Sequence, residues 1–406
     1  MPQEVPNFRH LRAYCAVAER RSVSRAADQV HLSQPAITQA ISKLEKRLGV
    51  PLFERRSNGM YPTEPGSVFH ERARRVLGLL ETGAKEFARI DVRKGARGFS
   101  NFDHLVTVAQ MRALCAISRT GNFSLAARSV GISQPSIHRA ARDLERLAGA
   151  PLFVTRSEGI ELTRGAQALA QHAKLAFAEL KQGLAEIAEW LGQDTGRIVI
   201  GSMPLARTRI LPEALNNLTR SRPNVSVRVV DGPYGDLLHG LRHGELDLLI
   251  GALRNPPPIG DVNEILLFED ALAIAARAGH PLARKKRIAG ADLLGFPWVV
   301  PPEGAPTRTF FNSMFAAREL ANLPGLIETS SLAMVRGLLC GSDRLTIISA
   351  HQIMHEQRQG LLVQLPLNLP GSVRQIGLTV RRGWRPTATQ KELLGHLRRA
   401  SPSIEQ

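Results

Sequence analysis

The sequence predicts a multidomain chain: two all-α, winged helix-turn-helix domains followed by an α/β domain. Three observations predict it. The stretch SQPAITQAISKLEKRLG, Ser33 to Gly49, returns one hundred residues later as SQPSIHRAARDLERLAG, Ser133 to Gly149. Each is followed by a short hairpin pattern and then by a long helical one. After Trp190 the pattern changes to strands alternating with helices, which implies a parallel sheet with right-handed crossovers.

The repeated stretch reads as one helix of about four turns. Ser33 and Ser133 are good N-caps, Pro35 and Pro135 sit in the first turn where a missing N–H costs nothing, and Gly49 and Gly149 can end the helix. Ile37, Ala40, Ile41, Leu44 and Leu48 recur at helical spacing and form one stripe to be buried. Gln34, Thr38, Gln39, Ser42, Lys43 and Lys46 lie off it, and the N-terminal members are of the types that read base edges and phosphates. A shorter helix, Ser22 to Leu32, precedes, with Ala26, Ala27 and Val30 allowing a close crossing. Pro51 to Thr63 reads as a two-stranded wing turning at Ser57-Asn58-Gly59 and carrying Arg55 and Arg56. Phe8 to Arg20 is the first helix of the unit, with Arg12 and Arg20 on its solvated face. A longer helix runs from Pro65-Gly66 to near Ile90, and the Gly- and charge-rich segment Asp91 to Asp103 reads as a loop.

The order AxxxxSxxxAA, SQPxIxxxIxxLE, LGxxLFxR and a late Thr resembles the DNA-binding domain of the LysR-type transcriptional regulators. The resemblance implies double-stranded DNA at an operator or promoter as partner. It also implies that the long helix is a linker helix pairing antiparallel in a dimer, and that the protein is a homo-oligomer.

Residues 12–63 and 112–163, compared without gaps, are identical at 23 of 52 positions, so the unit is duplicated. A second linker helix is expected from about Arg164 to Trp190. The copies differ in charge: residues 1–100 hold 18 Lys+Arg against 10 Asp+Glu, residues 101–195 only 10 against 9. Thr38-Gln39 becomes His138-Arg139, Ser42-Lys43 becomes Arg142-Asp143, and the wing keeps Arg156 but has Thr155 where copy one has Arg55. Because Arg favours guanine edges and Gln adenine edges, base preference should differ between copies. Candidate DNA contacts are Ser33, Gln34, Pro35, Thr38, Gln39, Lys43, Arg55 and Arg56, with Ser133, Gln134, Pro135, His138, Arg139, Arg142 and Arg156. A helix of about 25 residues is roughly 38 Å long. If the two linker helices of one chain pair antiparallel, the chain is a covalent pseudo-dimer. The alternatives are four winged domains per dimer of chains, or a second copy that serves only packing or dimerisation.

In the C-terminal half, strands are expected at Arg197–Gly201, Val225–Val230, Leu246–Gly251, Leu272–Ala276, Trp298–Val300 and Leu345–Ile348. Helices are expected at Leu211–Ser221, Leu237–His243, near Arg308–Leu320 and at Leu332–Leu339. Late strands at Leu361–Leu365 and Gln375–Val380 and a last helix, Thr389–Arg399, are expected to return to the first lobe. The segments RPNVSVRVVDG, GELDLLIG and ARAGHPLA resemble the effector domain of the same family, a two-lobed, Rossmann-like fold similar to periplasmic binding proteins. The expected domains are 5–65, a linker helix and loop at 66–103, 104–163, a linker helix at 164–195, and an effector domain at 196–400. Its lobes fall at about 196–268 with 368–400, and 269–367. Ligands in such sheets bind beyond the carboxyl ends of strands. Candidate linings are Ser202, Leu205, Arg207, Pro233, Tyr234, Arg254, Thr329, Ser330 and Ser331. Ser330 or Ser331 caps a helix whose N-terminus suits a carboxylate, and Arg207 can pair with one. A small polar or anionic metabolite is the expected effector.

The net charge of +17 in 406 residues argues for a polyanionic partner. Apolar residues at 43% and charged ones at 22% are globular values. No long apolar run or signal-peptide core is present, so a cytoplasmic protein without a membrane segment is expected. Cys15, Cys115 and Cys340 read as core packing, and one cysteine in the C-terminal half disfavours a peroxide sensor working by an intradomain disulfide. No nucleophile, acid–base pair, phosphate loop, cofactor or metal motif emerges. His351 and His355 lack the Glu and third ligand of a zinc protease, and Arg284-Lys285-Lys286-Arg287 reads as a solvated loop. No catalytic residue is expected. A solute-binding protein would leave the first 195 residues idle, whereas a DNA-binding regulator with a small-molecule effector accounts for every segment.

Overall fold

The computed structural model describes residues 5–91, 102–193, 196–254 and 256–402. They fall into two compact units, dividing at about residue 197.

The first unit contains the duplication. Copy one is α1 (Phe8–Arg20), α2 (Val23–Val30), α3 (Gln34–Leu48), the hairpin β1 (Phe53–Arg56) and β2 (Gly59–Pro62), and α4 (Glu64–Asp91). After α5 (Phe102–Leu105), copy two repeats it as α6 (Val108–Thr120), α7 (Phe123–Val130), α8 (Gln134–Ala148), β3 (Phe153–Arg156), β4 (Gly159–Leu162) and α9 (Arg164–Trp190). The apolar stripe of α3 is buried as its spacing requires, and Ile137, Ala141, Leu144 and Ala148 are buried in α8. Gly59 and Gly159 have positive φ, and a Cβ on either would fall 2.4 or 2.7 Å from the carbonyl oxygen of Arg21 or Gly121. Glycine is therefore required where each wing folds back over the turn between the first two helices. Met60 and Ile160 complete that junction by donating their backbone N–H to the same carbonyls, at 3.0 and 2.8 Å.

The helices α4 and α9 pack antiparallel within the one chain. Gly83 lies against His172, Gly183 against Arg72, and Gly165 against Asp91 and Phe87. The pairing expected between two chains is thus made by the two copies of one. Two expectations for this unit need correction. Arg12 is half-buried, donating to the His104 carbonyl at 3.1 Å, rather than solvated. Asp91 ends α4 and Phe102–Leu105 is helical, so both ends of the expected loop belong to helices instead. The rest of that predicted loop, residues 92–101, lies outside the described residues.

The second unit runs β5 (Arg197–Ser202), α10 (Ile210–Ser221), β6 (Ser226–Asp231), α11 (Tyr234–Arg242), β7 (Leu248–Ala252) and β8 (Val262–Asp270) through the first lobe. The second lobe is β9 (Leu272–Arg277), α12 (Gly290–Leu293), β10 (Trp298–Val300), α13 (Pro306–Ser313), α14 (Ala317–Ala321), β11 (Ile327–Glu328), α15 (Leu332–Cys340), β12 (Leu345–Ser349), α16 (Met354–Arg358) and β13 (Leu362–Gln364). Then β14 (Arg374–Arg381) and α17 (Ala388–Ala400) return to the first. The described strands form two five-stranded sheets, in the orders β6-β5-β7-β14-β8 and β11-β10-β12-β9-β13.

Neither sheet is wholly parallel. β14 runs antiparallel to β7 and β8, and β9 antiparallel to β12 and β13, because the chain crosses between lobes and re-enters each from the far side. β13 stays in the second sheet rather than returning to the first, which puts the crossovers at 270–272 and after Gln364. The helix expected near Arg308–Leu320 is two, α13 and α14. β8 and β11 were not anticipated. Cys340, at the end of α15, is exposed and is not core. Cys15 is buried, and Cys115 is half-buried with its thiol 3.9 Å from the Ala170 carbonyl.

Candidate functional sites

The local sequence builds α3 and α8 in the same way. Ser33 and Ser133 accept from the backbone N–H of Ala36 and Ser136, which fixes where α3 and α8 start. Gln34 donates to Ser24 Oγ at 3.0 Å, and Gln134 accepts from Ser124 Oγ at 3.0 Å, so the first turn is tied to the preceding helix. Glu45 and Glu145 each accept the two backbone N–H groups that open the wing, Leu52 and Phe53 at 2.8 and 3.3 Å, Leu152 and Phe153 at 3.0 and 3.2 Å. These glutamates set the angle of wing to helix.

In copy one, Gln34, Pro35, Thr38, Gln39, Ser42 and Lys43 on α3 face Arg55, Arg56, Ser57 and Gly59 of the wing across an open groove. Ser33 stands exposed at its edge. Arg56 pairs with Glu54 and lies over the Tyr61 ring at 4.9 Å, with Arg21 at 4.9 Å from the same ring. Thr38, exposed, donates its hydroxyl to the Gln34 carbonyl at 3.1 Å. In copy two Ser133, Gln134, Pro135, His138, Arg139, Arg142 and Arg156 are all exposed. His138 rests on Phe123, ring centroids 5.1 Å apart, Arg142 pairs with Glu145 at 2.7 Å, and Arg156 with Glu161 at 3.3 Å. With Arg146 on Asp143 at 3.4 Å, copy two therefore spends at least three of its cations on its own acids, whereas Arg139 lies on the exposed face. Sequence reasoning missed Arg21, Tyr61 and the paired glutamates. The identical Leu44-Glu45 and Leu144-Glu145 were the one signal for the last.

In the second unit the candidate residues divide. Tyr234, at the start of α11, and Arg254, just past β7, come together with the guanidinium 4.6 Å from the ring centroid. Glu264 accepts the Arg254 backbone N–H at 3.0 Å, which holds that loop. Burial, then the nearby Glu264 carboxylate, raises the Tyr234 phenol above its ordinary value. Arg207 faces Asp231 at 3.3 Å, so its charge is already met by a carboxylate of the protein. Ser202 is fully buried with its hydroxyl on the Met203 carbonyl, and Leu205 is buried; both support the strand end rather than expose a group. Pro233 is exposed beside Tyr234. Across in the second lobe, Thr329 Oγ1 accepts from the Ser331 N–H at 3.1 Å, Ser331 caps α15, and Ser330 is exposed.

A constellation the sequence did not reveal joins the lobes. Asp270, at the end of β8, accepts from Arg374 of β14 and from Ser349 of β12, each at 2.5 Å. Arg374 also donates to Thr307 of α13 at 2.6 Å. Among the described residues no His, Cys, Asp and Glu group suits a metal ion, and no helix is long and apolar enough to cross a membrane.

Comparison with known proteins agrees with this geometry. The family described as "Bacterial regulatory helix-turn-helix protein, lysR family" matches twice, at residues 8–67 and 108–167, and the "LysR substrate binding domain" matches 191–402. The HTH-type transcriptional regulator GalR of Pseudomonas putida is 35% identical over 382 residues, 94% of each chain, a span that leaves no room to omit either copy. PcaQ of Agrobacterium fabrum is 26% identical over 302 residues, 74% of this chain and 97% of that one. A full-length OxyR variant from Pseudomonas aeruginosa superposes with a TM-score of 0.55 at 20% identity, covering 75% of this chain and all of that one, a likeness of fold alone. With both helix-turn-helix copies and the C-terminal half matched, this chain belongs to the LysR family of DNA-binding transcriptional regulators and is not an enzyme.

Proposed function

We propose that both winged domains read an operator, α3 and α8 each entering a major groove, and that a small anionic or polar metabolite held between the lobes alters those contacts. The observation that carries the reading is the duplicated geometry: two capped helices, each tied to its neighbour by Gln34 or Gln134 and followed by a wing pinned by Glu45 or Glu145. Gln39, Lys43, Arg55 and Arg56 in copy one, and His138, Arg139 and Arg142 in copy two, are the contacts proposed, with adenine edges favoured by the first and guanine edges by the second. Tyr234 and Arg254 are the effector contacts best supported, because they converge beyond a strand end and present a cation beside a ring. An effector acts only through its different affinity for the two lobe arrangements. Location in the cytoplasm and association of chains complete the proposal.

The test is a footprint of the full-length protein on DNA upstream of its own gene, repeated with Gln39→Ala and Arg139→Ala. Loss of two distinct, adjacent protected segments supports reading by both copies. Equal loss of specific and nonspecific binding in either variant refutes base reading at that position.

A further inference from the structure

When two identical helices pair antiparallel, each contact is made twice. Here the two ends of the pairing differ. Arg72 of α4 is wholly buried and donates to Glu179 at 2.8 Å, Gln182 at 3.0 Å and Glu186 at 2.9 and 2.7 Å, all on α9. Arg75 meets the other oxygen of Glu179 at 2.9 Å. The duplication places His172 where Arg72 stands, Leu79 for Glu179, Thr82 for Gln182 and Glu86 for Glu186. At that end the matching approach is the His172 ring to the Glu86 carboxylate, at 3.7 Å. The glycines keep the symmetry, Gly83 against His172 and Gly183 against Arg72, so the backbone crossing is shared and the charge is not.

Other pairings are poorer on this chemistry. Two α9 helices together would bury Glu179 and Glu186 of both against His172 and Leu175, with no arginine. Two α4 helices would keep Glu86 in the place of Glu186 for each Arg72, but would exchange Glu179 for Leu79 and Gln182 for Thr82, and would leave two α9 helices to each other. A buried charge deprived of its partner is strongly unfavourable, and selecting the partner is the best-attested use of such groups. The connection is anchored as well. Asp91, ending α4, accepts from Thr163 and from the Gly165 N–H at 2.9 Å at the start of α9, while Phe87 stacks on Phe102 where copy two begins.

We infer that the buried Arg72–Glu179–Glu186 cluster selects α9 over a second α4 as the partner of α4, and that the two are met within one chain, so that one chain is a complete, two-headed reader of an asymmetric site. Chains then associate through surfaces other than the linker helices. The pairing stands on the contacts alone; its use on DNA rests on the function proposed above.

The experiment uses full-length protein carrying Gly83→Cys, His172→Cys and Cys340→Ser, oxidised and run on a non-reducing gel over a range of concentrations. A Cβ on Gly83 would lie 2.7 Å from that of His172, so the helices need part by only about an ångström to reach the ~3.5–4.5 Å of a disulfide. A single-chain product at every concentration, protecting the same DNA as the reduced protein, is expected. A predominant two-chain product overturns pairing within the chain. In the same background Arg72→Glu should lower the cross-linking yield at least tenfold, and adding Glu179→Arg and Glu186→Arg should restore it. An unchanged yield in Arg72→Glu, or no recovery on charge reversal, overturns the role of the cluster. If the single-chain product forms but neither redox state binds DNA, the DNA reading fails and the pairing stands.

Discussion

Asp270 and Arg374 form a 2.5 Å ion pair in which the carboxylate is wholly enclosed, at the point where the chain leaves the first lobe for the second. Through Ser349 and Thr307 the same pair reaches two elements of the second lobe. Asp270→Ala leaves a guanidinium without its enclosed partner, and loss of about 3–5 kcal/mol is expected. The midpoint of urea unfolding measures it; a change under about 1 kcal/mol contradicts this account.

Acid should weaken the linker pairing. Burial alone would raise the Glu179 carboxyl, but hydrogen bonds from Arg75 and Arg72 outweigh it and hold the group below its ordinary value of 4.5. A depressed folded value means the stabilisation is present above the unfolded value and is lost as pH falls through the folded one. Denaturant midpoints followed from pH 6 to pH 3 should therefore fall more steeply below about pH 4.5 in the parent than in Glu179→Gln.

Arg55, exposed on the wing, is proposed as a phosphate contact. Arg55→Ala should weaken binding to all duplexes alike and reduce the slope of log K against log salt by about one. A selective loss on the operator would instead mark Arg55 as a reader of bases.

The Tyr234 hydroxyl is enclosed without a hydrogen-bond partner among the described residues. Removing it by Tyr234→Phe should change stability by less than about 1 kcal/mol, since no protein hydrogen bond is broken. Thermal unfolding checks this, and a drop of several degrees would show that the hydroxyl is paired.

Thiol reactivity should follow burial. Cys340 is exposed, while burial raises the Cys15 thiol strongly and pushes Cys115 up to about 12. Maleimide should label Cys340 at once and the other two only on unfolding. Fast labelling of two or more sites in the native protein would contradict the packing described.

The winged domains were legible because their signals are local. A capping serine, a first-turn proline and a terminal glycine fix α3 and α8 from residues a few positions apart, and the repeat confirms each. What escaped depends on residues far apart in the chain. β8 owes its strand to pairing with β14 rather than to alternation, and at Gly377 the two come so close that a Cβ would fall 2.1 Å from the Ile265 carbonyl oxygen. The single long helix expected after Arg308 is interrupted at Met314 to Ala316, where Ala316 starts a fresh turn closed by Glu319. In sequence Arg207 looks available to an outside carboxylate, because Asp231, 24 residues on, gives no sign of turning toward it. The Arg72 cluster spans more than one hundred residues, and spacing carries no trace of it.

Joining α4 and α9 in one polypeptide also changes what a point mutation does. In a regulator assembled from identical chains, a codon change in the recognition helix alters both halves of the target together, and both must be matched at once by new DNA. Here Gln39 and Arg139 are separate codons. On the reading proposed above, one half of the target is free to drift while the other is held, so new binding sites are acquired one flank at a time.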